Sequence, residues 1–85
     1  GIQGNKLIID LRSPRAFALR HIPGAINIPY ERLNLERTSF NKSTKLVFYC
    51  EHGSKSMAAC SRYERYGYMT YDLLGGFEEY KRITR

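Results

Sequence analysis

The sequence predicts an α/β fold: a mostly parallel sheet of about four to five strands with helices on both faces. Three observations lead there. Short apolar runs, each the length of one strand, recur at K-L-I-I-D-L (6–11), A-I-N-I-P (25–29), K-L-V-F-Y (45–49) and M-T-Y-D-L-L (69–74). Segments with helix start and stop residues lie between them. Hydrophobic residues at 42% and charged residues at 26% suit one globular domain over residues 1–85.

In chain order, residues 6–11 form an apolar run that ends in an acid, as in a strand buried on both faces. Ser13 then suits an N-cap, with Pro14 at the first helical position. That helix is short, because Ile22-Pro23-Gly24 stops it. Residues 25–29 give a brief second strand closed by Pro29, and residues 30–43 a polar connection with a helical turn near Y-E-R-L. The clearest strand is 45–49, rich in β-branched and aromatic side chains. From Ser54 to Tyr66 the pattern is helical. Met57, Cys60, Ser61 and Glu64 share one face, Ala59, Tyr63 and Tyr66 form the adjacent one, and Gly67 terminates the helix. A fourth strand over 69–74 leads through Gly75-Gly76 into a last helix, F-E-E-Y-K-R-I (77–83).

Composition narrows the function. No apolar run approaches the roughly 18 residues that span a bilayer, and no secretory signal opens the chain, so no membrane partner is expected. Cys50 and Cys60 are too few for a disulfide framework and too far apart, with His21 and His52, for a zinc site; no metal or other cofactor is implied. Unpaired thiols suit a reducing compartment, which points to the cytoplasm. The net charge of +6 is spread along the chain without a nucleic-acid motif, so its expected effect is a mild attraction of small anions, not nucleic-acid binding. A monomer is expected.

In an open α/β sheet, ligands sit beyond the carboxyl ends of the strands, where Asp10 and Cys50 both stand. Cys50 opens Y-C-E-H-G-S-K-S (49–56), a small-residue loop running into a helix. The thiolate is the reactive form of cysteine. A helix N-terminus, with unpaired N–H groups and the positive end of its dipole, favours that anion. Gly53 lets successive N–H groups turn inward as a nest, Lys55 adds positive charge at the rim, and Ser56 offers a hydroxyl from the first turn. The loop reads as an anion cradle around a sulfur nucleophile.

Three segments carry a family resemblance. I-I-D-L-R-S-P-R-A-F-A-L-R-H-I-P-G-A-I-N-I-P (8–29) resembles the opening signature of the rhodanese (thiosulfate sulfurtransferase) domain. Y-C-E-H-G-S-K-S looks like that family's active-site loop, Cys-x-x-Gly-x-Arg-Ser/Thr, and G-Y-M-T-Y-D-L-L-G-G-F-E-E-Y (67–80) is similar to its closing segment. The resemblance implies a three-layer rhodanese-like domain whose first short strand is abbreviated or missing. It implies a sulfurtransferase in which Cys50 takes sulfane sulfur from thiosulfate or a persulfide, forms a cysteine persulfide and passes the sulfur to a thiol, cyanide or a protein cysteine. Glu51, His52, Gly53, Ser54, Lys55 and Ser56 would hold the small anionic donor. Asp10 and Arg12 match the family's Asp-x-Arg and read as a bracing ion pair. His21 reads as a packed, hydrogen-bonded residue, His52 as a surface one and Cys60 as a buried small hydrophobe.

The chain departs from the family pattern at several positions. Lys55 stands where arginine is usual, losing the planar fork that grips an oxyanion in two places. Arg20, Ala16 and Tyr80 replace a small residue, a glutamate and a tryptophan common in the family. The related phosphatases need a Cys-x₅-Arg loop, and Ser56 occupies the position of that arginine, which excludes phosphate and arsenate chemistry. The alternative reading is a rhodanese-type binding or persulfide-relay module with little thiosulfate activity.

Overall fold

The computed structural model describes residues 5–35, 40–73 and 75–79. Strand β1 (Lys6–Asp10) is followed by helix α1 (Pro14–Leu19), strand β2 (Ile26–Asn27), helix α2 (Tyr30–Leu35), strand β3 (Lys45–Tyr49), helix α3 (Ser54–Arg65) and strand β4 (Thr70–Asp72). Residues 76–79 begin a further helical segment; the rest of the helix expected to Ile83, with Tyr80, lies outside the described residues.

The described strands form one parallel sheet in the order β2-β1-β3-β4. The chain steps from β1 to its neighbour β2, then crosses back to β3 on the other side. Right-handed crossovers in opposite directions place their helices on opposite faces, giving the three layers. The reversal makes the gap between β1 and β3 the topological switch point, where loops leave the sheet in opposite directions and open a crevice. The register sets Asp10 beside Tyr49 and Phe48 beside Asp72, so these carboxyl ends are nearly level.

Local signals explain the boundaries. The Ser13 side chain caps α1 by accepting from the Ala16 N–H at 3.2 Å, with Pro14 in the first turn. The helical turn expected near Y-E-R-L extends to six residues and buries Leu33. Helix α3 ends at Arg65, and the Gly67 N–H closes the turn on the Glu64 carbonyl at 3.0 Å. One expectation is corrected. Strand β1 is fully buried only at its carboxyl end, since Lys6 is exposed and Leu7 and Ile8 are half-buried. Of the two expected faces of α3, the one with Ala59 and Tyr63 turns inward, joined by Ser56, whereas Met57 is 64% exposed. Ser56 goes inward because polar partners await it there, described below.

The core joins Ile9, Leu11, Leu46 and Phe48 of the sheet side to Leu33, Ala59, Tyr63 and Tyr68. Tyr63 is its aromatic centre, with ring centroids 5.6 Å from Phe48, 5.9 Å from Phe40 and 5.5 Å from Tyr68. The Tyr68 hydroxyl accepts from the Phe40 N–H at 3.2 Å and donates to the Phe40 carbonyl at 2.9 Å, pinning the entry to β3 against the end of α3. Tyr68→Phe should therefore lower unfolding free energy by about 1 kcal/mol in a denaturant titration, because two half-buried backbone groups of Phe40 lose their side-chain partner.

Candidate active site

Cys50 leaves the carboxyl end of β3 almost wholly buried, and its Sγ accepts a hydrogen bond from the Gly53 N–H at 3.1 Å. Such a short return requires a left-handed residue, and Gly53 has φ +104° at the N-cap of α3. The first N–H groups of any helix lack intrahelical partners, so α3 presents its positive end beside the sulfur. Ser56 lies one turn in, with its Oγ 3.8 Å from Sγ.

The loop's carbonyls are drawn the other way. The Phe77 N–H donates to the Cys50 carbonyl at 2.8 Å, and the Glu78 N–H to that of Glu51 at 3.3 Å. This contact depends on Gly76, since a Cβ there would stand 2.3 Å from the Cys50 carbonyl oxygen and 2.7 Å from that of Glu51. The Gly75-Gly76 turn thus lets a second helix start clamp the back of the loop, a role that sequence reading had given only to chain reversal.

Beside the loop, Asp10 is wholly buried and accepts from four sources. The Arg12 backbone N–H lies 2.8 Å from Oδ1, Nε 3.0 Å from Oδ1, Nη2 2.7 Å from Oδ2, and the Tyr49 hydroxyl 2.6 Å from Oδ2. Arg12 Nη2 also donates to the Arg20 carbonyl at 2.6 Å, and its guanidinium lies 4.0 Å from the centroid of Phe77. Burial works against the Arg12 charge, but Asp10 more than offsets it and holds the guanidinium above its ordinary range. Burial, then the bond to Asp10, pushes the Tyr49 phenol well up, so it stays a donor. Asp10 and Arg12 form an ion pair, and Tyr49, unnoticed in the sequence, joins it.

A pocket of about 390 Å³ opens over the sulfur. Leu11, Arg12, Ser13 and Ala16 line it from the end of β1 and the start of α1, Glu31 from α2, and Cys50, Glu51, His52, Ser54 and Lys55 from the loop and α3. Of the predicted donor-holding residues, Glu51, His52, Ser54 and Lys55 face this space; Gly53 and Ser56 are buried and lie outside its lining. Glu51 Oε1 is 3.6 Å from Arg12 Nη1. Lys55 is at the rim as expected, but its Nζ is 3.7 Å from Glu31 Oε2 and 5.8 Å from the centroid of Tyr30.

The remaining candidates lie outside the pocket lining. His21 Nδ1 is 2.8 Å from the Phe17 carbonyl, and its ring stacks on Phe17 at 3.7 Å. Cys60 is half-buried against the core, and burial pushes its thiol up. Among the described residues, no three His, Cys, Asp or Glu side chains converge as metal ligands do, and no helix is long and apolar enough to cross a membrane. Sequence reading missed Asp72, whose Oδ1 is 2.6 Å from Ser56 Oγ. The signal that found Asp10 and Cys50, a polar residue at a strand's carboxyl end, applies to it equally.

A model of the rhodanese-like domain matches residues 1–83. Solved structures agree. A rhodanese-related protein from Thermoplasma volcanium superposes with a TM-score of 0.85 at 25% identity, over 93% of this chain and 79% of that one. A protein from Staphylococcus saprophyticus gives 0.79 at 27% identity, over 86% and 73%. A rhodanese-like domain protein from Staphylococcus aureus gives 0.76 at 28% identity, over 85% and 71%.

The loop clamp is tested by comparing two glycines. Gly53→Ala, which meets no atom closer than 3.9 Å, should cost about 1 kcal/mol for its positive φ alone. Gly76→Ala should cost more, about 2–3 kcal/mol, and speed alkylation of Cys50 by prising the loop from Phe77. Denaturant midpoints and peptide-resolved labelling read the two effects.

Proposed function

The chain belongs to the rhodanese-like domain family, and from that premise we propose that it is a sulfurtransferase whose Cys50 carries sulfane sulfur as a persulfide. The observation that carries this reading is the buried Cys50 sulfur, held by the Gly53 N–H at the start of α3 and facing a pocket at the sheet's switch point. Such a sulfur is stabilised as an anion by fixed donors and is open on one side to a reacting partner.

The transfer runs in two displacements. The Cys50 thiolate attacks the outer sulfur of thiosulfate; the S–S bond of the donor breaks, and its electron pair leaves on sulfite. Cys50 is left as a persulfide with its outer sulfur in the pocket. An acceptor thiolate or cyanide then attacks that outer sulfur, the persulfide S–S bond breaks, and the thiolate of Cys50 returns. No external oxidant or reductant is consumed. Glu51, His52, Ser54 and Lys55 surround the donor, while Asp10 and Arg12 keep the pocket wall in place from behind. The cytoplasm remains the compartment we assign, and a monomer the working state.

A second reading, a persulfide relay with little thiosulfate activity, has its own support. The pocket is far larger than a thiosulfate ion, and two carboxylates, Glu31 and Glu51, line it. Lys55, the cation best placed to greet a dianion, is shared with Glu31. These features suit a persulfide borne on a larger molecule.

The reaction class is tested by steady-state transfer from thiosulfate to cyanide, which should give the parallel double-reciprocal lines of a ping-pong mechanism and vanish in Cys50→Ser. Turnover surviving in Cys50→Ser would end the proposal. The donor is tested at the rim: Glu31→Gln and Lys55→Arg should each raise kcat/KM for thiosulfate about two- to fivefold, the range of an exposed ion pair. An unchanged value in both, with good turnover of a thiol persulfide, selects the relay.

A further inference from the structure

Ser56 stands at a branch in the hydrogen-bond network. Its wholly buried Oγ lies 3.8 Å from Cys50 Sγ, 2.9 Å from the Gly53 carbonyl and 2.6 Å from Asp72 Oδ1. A hydroxyl has one hydrogen to donate and lone pairs to accept with, whereas a carbonyl and a carboxylate only accept. Three acceptors around an ionised site therefore compete for a single hydrogen. The shortest contact is to the carboxylate, and charge-assisted bonds are the strong ones.

We infer that Asp72 is a positioning residue that governs the Cys50 sulfur through the Ser56 hydrogen. This rests on Cys50 being the sulfur carrier. With its hydrogen committed to Asp72, Ser56 meets the sulfur as an acceptor and takes the S–H of the resting thiol. When the sulfur becomes a thiolate or persulfide anion, Ser56 serves it as a donor only by turning away from Asp72. Asp72 thus restrains the Cys50 thiolate: it slows loading, which starts from that anion, and slows discharge, which releases it. The hydroxyl is a switchable contact, and the carboxylate sets its resting direction. Asp72 reaches this position because its strand register places it beside Phe48, two residues before Cys50.

Arg12, Glu31, Glu51, His52 and Lys55 also face the sulfur's pocket, from the end of β1, from α2, from the loop and from α3. None of them changes in the test. Peptide-resolved alkylation of Cys50 is followed against pH in the wild-type chain, in Asp72→Asn, in Ser56→Ala and in the double variant. Asp72→Asn should react about three- to tenfold faster at neutral pH, with the profile displaced to lower pH, and this gain should largely disappear in the Ser56→Ala background. Single-turnover assays should show Asp72→Asn both loading and discharging faster, since the Cys50 thiolate is the nucleophile of the first step and the leaving group of the second. Asp72→Ser, which puts a neutral hydroxyl in place of the carboxylate, serves the same comparison if the asparagine variant folds poorly. An unmoved profile would reduce Asp72 to a structural tie between β4 and α3. An equal displacement with and without Ser56 would make its effect a bare charge acting through space. Either result overturns the inference. Alkylation needs no sulfur donor, so failure of the sulfurtransferase reading appears separately, as a wild-type chain that never forms a persulfide.

Discussion

The buried carboxylate of Asp10 is the fixed point of this structure. A lone carboxylate cannot be left without partners in a protein interior, and the chain surrounds it with a guanidinium, a backbone N–H and a phenol. The two side-chain donors tie different segments to the carboxyl end of the sheet. Tyr49 links β3 to β1, and the Ile22 N–H reaches the same hydroxyl at 3.1 Å. Arg12 links the end of β1 to the Arg20 carbonyl behind α1 and to the face of Phe77. Phe77 in turn holds the Cys50 carbonyl. One chain of contacts therefore runs from a strand end to the back of the reactive loop. Removing either partner of a buried ion pair costs about 3–5 kcal/mol, a large share of the stability of a small domain.

That arrangement explains how a loop of small residues can hold a sulfur steadily. The front of the loop offers Gly53 N–H and the start of α3, and the back is clamped by Phe77 and Glu78 N–H groups. Carbonyls directed backwards leave the side facing the sulfur to donors, the condition for stabilising an anion without reorganising at each turnover. Here Lys55 stands in place of the usual arginine and leans on Glu31, so the rim carries both signs of charge.

Much of this was legible in the sequence because the signals were local. Strands β1 and β3, the Ser13–Pro14 start of α1 and the Gly67 stop of α3 each follow from a few adjacent residues. Cys50 and its glycine loop were legible for the same reason. What escaped depends on contacts between distant segments. Helix α2 is too short to show a period. The inward turn of Ser56 is tied to Asp72 sixteen positions later. The grip of Gly76 on the Cys50 carbonyl, and of Tyr49 on Asp10, exists only once the strands are in register. Charge pairing at the rim was equally hidden, since Glu31 and Lys55 meet only through the packing of α2 beside the loop.

The most direct measurement is the intact mass of the protein after brief exposure, first to thiosulfate and then to a thiol persulfide, for the native chain and for Cys50→Ser. The account predicts the gain of a single sulfur atom on the native chain from at least one donor, its removal by cyanide, and no gain in the variant. A native chain whose Cys50 can be alkylated yet never takes up sulfur from either donor would contradict it.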